Sequence, residues 1–206
     1  MSEAYAFEPA TLAPWAEIVP GVGPMTVEDL AAWPDDGWSY ELVEGVLVRM
    51  PPSSFGASKI GVRLLMRLAV FVEDHDLGSV TSEQGGYILD QQRPKQTQVA
   101  PDVAFVRAER DISVTAPESR AAYPGAPDLA VEVAAPRQSR RTLDAKAQRY
   151  LAAGTRLVWI IWPQRQQVDV WHPGDAAPTR TLDIDETLDG EDVVPGFTYP
   201  VARLFA

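Results

Sequence analysis

Six consecutive residues, Leu157-Val158-Trp159-Ile160-Ile161-Trp162, form an apolar run the length of one β-strand. A strand that is apolar on both faces must be covered on both, so this run belongs at the centre of a sheet with packed layers on either side. The neighbouring segments can supply those layers. A helix is expected from about Arg141 to Ala153, stopped by Gly154, with Leu143, Ala147, Tyr150 and Leu151 as its inward stripe. A longer helix is expected from about Ala57 to Asp74. There Ile60, Leu64, Leu68, Phe71 and Val72 make one apolar stripe with Arg63 and Arg67 off it, and Leu77-Gly78 ends the element. Three strands are expected between the helices: Gly86 to Leu89, Val99 to Val106 and Leu129 to Ala134. Loops holding Pro94, and then Pro124 and Pro127, separate them. Tyr40-Glu41-Leu42-Val43 and Val46-Leu47-Val48, joined at Glu44-Gly45, read as a hairpin that Pro51-Pro52-Ser53-Ser54 closes off. Gln167 to Trp171 reads as an edge or hairpin strand. The order is helix, three strands, helix, strand, after an N-terminal hairpin. It predicts an α/β protein in which helices pack on a mixed (α+β) sheet.

The 206 residues suit one globular domain, with 46% hydrophobic and 23% charged residues. Residues 1–37 are acidic and proline-rich and read as an arm wrapping a domain of residues 38–206; within the arm Thr26 can cap a short helix through Glu28 and Leu30. With no cysteine there is no disulfide and no thiolate metal site. The absence of a basic signal start and of a bilayer-length apolar run leads to the expectation of a cytoplasmic protein without membrane contact. The net charge of −11 argues against a nucleic-acid partner when taken as a sum. The distribution is more informative. Acids gather at the two ends, whereas residues 137–149 hold Arg137, Arg140, Arg141, Lys146 and Arg149 against Asp144 alone. Such a run is commonly a solvated helix face; its functional reading is a phosphate-binding surface at Arg137, Arg140 and Arg141.

Strand alternation singles out two acids. In Val99 to Val106, Asp102 lies between Ala100 and Ala104 on one face, opposite Val99, Val103 and Phe105. In Leu129 to Ala134, Glu132 lies between Ala130 and Ala134, opposite Leu129, Val131 and Val133. Flanking alanines leave a hollow around each carboxylate, and a buried carboxylate must be paired or bound to a cation. Lys146, three residues after Leu143 and four before Tyr150, falls on the inward side of its helix or at its margin. A lysine there can simply snorkel outward. Two inward acids with one inward lysine suit Mg²⁺ or Mn²⁺ and a phosphate-containing substrate.

These residues carry a family resemblance. Tyr40-Glu41-Leu42-Val43-Glu44-Gly45, Met50-Pro51-Pro52, Pro101-Asp102-Val103-Ala104-Phe105-Val106, Asp128-Leu129-Ala130-Val131-Glu132-Val133, Lys146, Tyr150 and Val194-Pro195-Gly196-Phe197 are involved. Over about residues 25–206 the chain resembles the Uma-two-like restriction-endonuclease branch of the PD-(D/E)XK nucleases. The resemblance implies an αβββαβ restriction-endonuclease-like core, here with the added N-terminal hairpin, and Mg²⁺-dependent cleavage of a DNA phosphodiester. It implies that Asp102 and Glu132 hold the metal and that Lys146 orients the attacking water or stabilises the transition state. Glu41 matches a further acidic position that could complete the metal site; it could equally be a solvent-facing hairpin residue. The superfamily usually has a lysine where this chain has Ala134, but the branch resembled here commonly moves it to the following helix, which fits Lys146. The chain departs from the family pattern at Ala57, Thr142 and Trp162, where histidine, aspartate and aspartate are frequent.

Other motifs are weaker. His75 and His172 lack ligand spacing, Asp183, Asp185, Glu186 and Asp189 lack the ordered spacing of a calcium loop, and no phosphate-binding glycine-rich loop is present. Two readings follow. One is a metal-dependent endonuclease, for which a homodimer is one expectation because enzymes that cut both strands often act as two-fold dimers. The other is a non-catalytic binding or assembly module that keeps the nuclease fold.

Overall fold

The computed structural model describes residues 17–20, 23–50, 53–91, 96–136 and 138–206. The first sixteen residues of the expected arm, Pro51, Pro52 and Pro94 lie outside the described residues. The chain begins with strand β1 (Glu17–Ile18) and helix α1 (Val27–Ala31), which Thr26 and Asp29 cap reciprocally. Strands β2 (Ser39–Val43) and β3 (Val46–Met50) form a hairpin, with Glu44 and Gly45 at φ 50° and 79° as a two-residue type I′ turn requires. Helix α2 (Phe55–Asp74), capped by Ser54, leads to β4 (Gly78–Ser82), β5 (Tyr87–Asp90) and β6 (Thr97–Val99). Then come β7 (Val103–Arg107), β8 (Leu129–Val133), α3 (Arg140–Ala152), β9 (Leu157–Trp162) and β10 (Gln167–Trp171). Short strands β11 (Arg180–Leu182), β12 (Thr187–Asp189) and β13 (Thr198–Pro200) and helix α4 (Ala202–Phe205) complete the fold.

The central sheet runs β11-β10-β9-β8-β7-β4, antiparallel except for β8 and β9, which α3 joins as a parallel crossover. Every residue of β9 is buried, as its apolar run requires. One sheet face presents Val103, Phe105, Leu129, Val131, Leu157 and Trp159 to Ile60, Leu64, Leu68 and Val72 of α2. The other presents Ala130, Ala134, Val158 and Ile160 to Leu143, Ala147 and Tyr150 of α3. A second sheet, ordered β1-β3-β2-β6-β5, stands beside this three-layer core. No described helix is long and apolar enough to cross a membrane.

Two sequence expectations need correction. Val99 to Val106 is not one strand: β6 ends at Val99, β7 starts at Val103, and the two belong to different sheets. Pro101 has no N–H to give a ladder, so the chain leaves one sheet and enters the other around it. The first core strand is Gly78–Ser82, not Gly86 to Leu89; the latter region forms β5 in the second sheet. Gly-Ser-Val-Thr-Ser is half-buried throughout, which leaves no hydrophobic alternation to read. Of the two readings of Gln167 to Trp171, the hairpin strand holds: β10 returns antiparallel along β9, and β11 pairs along its outer side, so it is not an edge.

Candidate functional site

Four titratable side chains from four elements meet at one cleft. Glu41 comes from β2, Asp102 from the turn entering β7, Glu132 from β8 and Lys146 from α3. The pleat sets the first part of this. Glu132 shares a face with Ala130 and Ala134, so it points toward α3 and away from α2. Leu42 points into an apolar cluster with Met25 and Leu47, which turns Glu41 to the cleft. Asp102 is held differently from the sequence expectation: it precedes its strand, and its Oδ2 accepts the Val133 N–H at 2.6 Å.

Lys146 joins the group. Its Nζ stands 2.9 Å from Glu132 Oε1 and 3.1 Å from Glu41 Oε1, with its side chain 13% exposed, so it does not snorkel into solvent. Glu41 is 8% exposed and also accepts the Ala100 N–H at 3.1 Å, so it is no solvent-facing hairpin residue. Tyr150, one turn along α3 from Lys146, donates its hydroxyl to Glu132 Oε1 at 2.7 Å. The sequence marked Tyr150 as an apolar-stripe residue and as part of the family pattern, without a site role; its place four residues after Lys146 was the available signal.

Burial pushes the Glu132 carboxyl up to about 7, against the pull of Lys146 and with added repulsion from Asp102 and Glu41. Burial likewise raises Asp102, opposed by the Val133 N–H and by Lys146. Burial alone would lower Lys146, but Glu132 and Glu41 together outweigh it, and the ammonium is held more tightly than usual. Burial and the neighbouring Glu132 raise the Tyr150 phenol well above its ordinary value. Perturbed groups gathered in one cleft are the usual mark of a functional site.

The cleft has a volume of about 1310 Å³. Its described lining includes the acids Glu41, Glu83, Asp102, Asp111, Glu118 and Glu132, against the cations Lys146 and Arg120. A cavity of that sign repels phosphate unless a cation is added. Among the described residues no three Asp, Glu, His or Cys side chains cluster closely enough to hold an ion by themselves. The donor chemistry nonetheless suits Mg²⁺ or Mn²⁺. Asp102 and Glu132 are hard oxygen donors, each engaged by the protein through one oxygen, and Mg²⁺ is ordinarily held by one or two carboxylates with water filling the rest.

The other candidate residues lie elsewhere. Arg140 pairs with buried Asp169 at 2.8 Å and its guanidinium lies 5.1 Å from the Trp162 ring centre, so its charge is engaged. Arg141 is exposed. Arg137 lies outside the described residues. Two of the positions that depart from the family pattern have structural partners. Thr142 donates its backbone N–H to the hydroxyl of Ser139, which caps α3, and the Trp162 indole N–H donates to Asp169 at 2.7 Å. Buried Asp128, bound by Arg107 and Arg110, and buried Asp169 are fully paired acids that the sequence did not separate from surface ones.

Comparison with known proteins bears on the whole domain. A family model, Uma2, described as "Putative restriction endonuclease", matches residues 27–202. A crystal structure described as "a putative nuclease belonging to DUF820" from Anabaena variabilis is similar in fold. Its TM-score is 0.73 at 20% identity, over 88% of this chain and 98% of that one. No curated protein matches the chain.

Proposed function

The chain belongs to the Uma2 family of restriction-endonuclease-like proteins, and on that premise we propose that it is a divalent-metal-dependent nuclease acting on DNA. The observation that carries the proposal is the convergence of Asp102, Glu132 and Lys146 in one acidic cleft. Asp102 and Glu132 are the residues to hold Mg²⁺ or Mn²⁺, with Glu41 beside them. When bound, such an ion supplies positive charge for the phosphate and lowers the pKa of a water poised to attack. Lys146 orients that water and offsets the charge that grows on the phosphoryl oxygens. Tyr150 fixes the orientation of Glu132, and Asp102 is fixed by the Val133 N–H. Exposed Arg141 suits a backbone phosphate outside the cleft. The described part of the arm meets the domain through β1, which pairs with β3. A DNA substrate goes with a cytoplasmic location.

The test is cleavage of single- and double-stranded DNA by purified protein with Mg²⁺ or Mn²⁺, beside Asp102→Asn and Glu132→Gln. Metal-dependent cleavage that both substitutions abolish is expected; equal cleavage by all three proteins would trace the activity to a contaminant. One observation favours a non-catalytic binding module instead: Lys146 already neutralises two of the carboxylates. On that reading calorimetry detects no binding of Mn²⁺ to the wild-type protein.

A further inference from the structure

The outer side of α2 carries an apolar row that the described chain leaves uncovered. Ile60, Leu64, Leu68 and Val72 face the sheet, whereas Val62, Met66 and Val70 are 52%, 60% and 58% exposed. Their spacing of four places them in one line along the helix. An outward helix face is ordinarily polar, so an aligned apolar row marks a contact surface. Each end of the row carries a charge of opposite sign: Lys59 three residues before Val62 and Glu73 three residues after Val70, both exposed. Neither makes an ion pair among the described residues.

The pattern is symmetric about Met66. Valines lie four residues to either side, and a lysine and a glutamate lie seven residues to either side. A two-fold interface requires this self-complementarity, because each contact occurs twice with the roles exchanged. A different partner protein would demand no such symmetry. We propose that α2 is a homodimer interface, in which two copies of the helix cross antiparallel about a two-fold axis at Met66.

In that register Met66 meets the partner's Met66, Val62 meets the partner's Val70, and Lys59 meets the partner's Glu73. The basic residues nearest the axis avoid like charges. Arg67 falls opposite the partner's Leu65 and Arg63 opposite the partner's Ala69, while Arg63 is already bound to the Leu204 carbonyl at 2.8 Å. Ser54 and Ser58, at the start of α2, line the cleft. Pairing through this helix therefore sets the two clefts at opposite ends of the helix pair, roughly 30 Å apart at 1.5 Å per residue. The proposal stands whether or not the cleft cuts DNA.

Sedimentation equilibrium of the full chain at low salt tests it. Wild type is expected to be a dimer. Lys59→Glu and Glu73→Lys each replace attraction by repulsion at both ends of the interface and should raise the dissociation constant about tenfold. The double variant exchanges the charges and should restore wild-type affinity, while Met66→Arg places two guanidiniums at the axis and should yield monomers. All three positions are on the solvent side of the helix, and thermal melts check that the fold persists. A monomeric wild type, a double variant no tighter than the single ones, or a dimer indifferent to Met66→Arg would overturn the proposal.

Discussion

Lys146 Nζ stands 2.9 Å from Glu132 Oε1, an ion pair drawn between α3 and the central sheet. It is the tie on which the charge balance of the cleft depends. Because burial lifts the Glu132 carboxyl to about 7, against an ordinary value near 4.3 in the unfolded chain, the folded state holds this proton more tightly. The resulting stabilisation is complete below the unfolded value and is lost as pH rises through about 7. Wild-type stability measured by urea unfolding should therefore decline from pH 4.5 to 8 without added metal. Glu132→Gln should flatten that decline, and an unchanged slope in the variant would contradict the assignment. Lys146→Ala should cost about 3–5 kcal/mol at pH 8, where it leaves the carboxylates unpaired, and less at pH 5.

Tyr150→Phe tests how Glu132 is held. The substitution keeps the ring in the core beside Leu143 and Ala147 and removes only the hydroxyl that donates to Glu132 Oε1. Loss of one hydrogen bond to a buried charged group should cost about 1–3 kcal/mol in urea unfolding. If Glu132 binds metal, misorientation should also weaken Mn²⁺ affinity by about 10–100-fold. A stability loss with unchanged Mn²⁺ affinity would confine Tyr150 to packing.

The sequence was most legible where burial imposes a simple period. The apolar run of β9, the stripes of α2 and α3, and the inward face shared by Ala130, Glu132 and Ala134 could all be read in advance, and with them the meeting of Glu132 and Lys146. Asp102 reached the same cleft by another route. Its expected strand is interrupted at Pro101, and the Val133 N–H, not strand alternation, positions it. What stayed illegible depends on partners distant in sequence. Strand β4 has no apolar signature because it lies at the sheet edge, half-buried along its length. Glu41 could be placed either way until β2 was seen to set it against Lys146 across 105 positions of sequence. The role of Arg140 was hidden for the same reason, since its partner Asp169 lies on a strand beyond β9.

Cation binding can be measured without catalysis. An ion that binds only the folded protein stabilises it by about 2.7 kcal/mol at a hundredfold excess over its dissociation constant. Mn²⁺ should thus raise the unfolding midpoint of wild type. Asp102→Asn should abolish the rise, since the amide oxygen can still accept the Val133 N–H while the charge is lost. Equal shifts in both proteins would place the ion elsewhere.

Arg140 and Arg141 are adjacent on α3 yet should fail in different assays. Arg140 pairs with Asp169, a fully buried carboxylate that also accepts from the Trp162 indole and the Thr181 hydroxyl. Arg140→Ala should therefore cost about 1–3 kcal/mol of stability, for the lost pairing and for the guanidinium held over the Trp162 ring. Arg141 is exposed, and Arg141→Ala should stay within about 0.5 kcal/mol of wild type. In a DNA-binding titration at several salt concentrations the order should reverse. Arg141→Ala should weaken binding and reduce the slope of log affinity against log salt by about one, as expected for one phosphate contact. Arg140→Ala should leave the slope unchanged, because its guanidinium is already committed to Asp169. A slope that falls with Arg140→Ala and not with Arg141→Ala would show that DNA draws Arg140 away from Asp169.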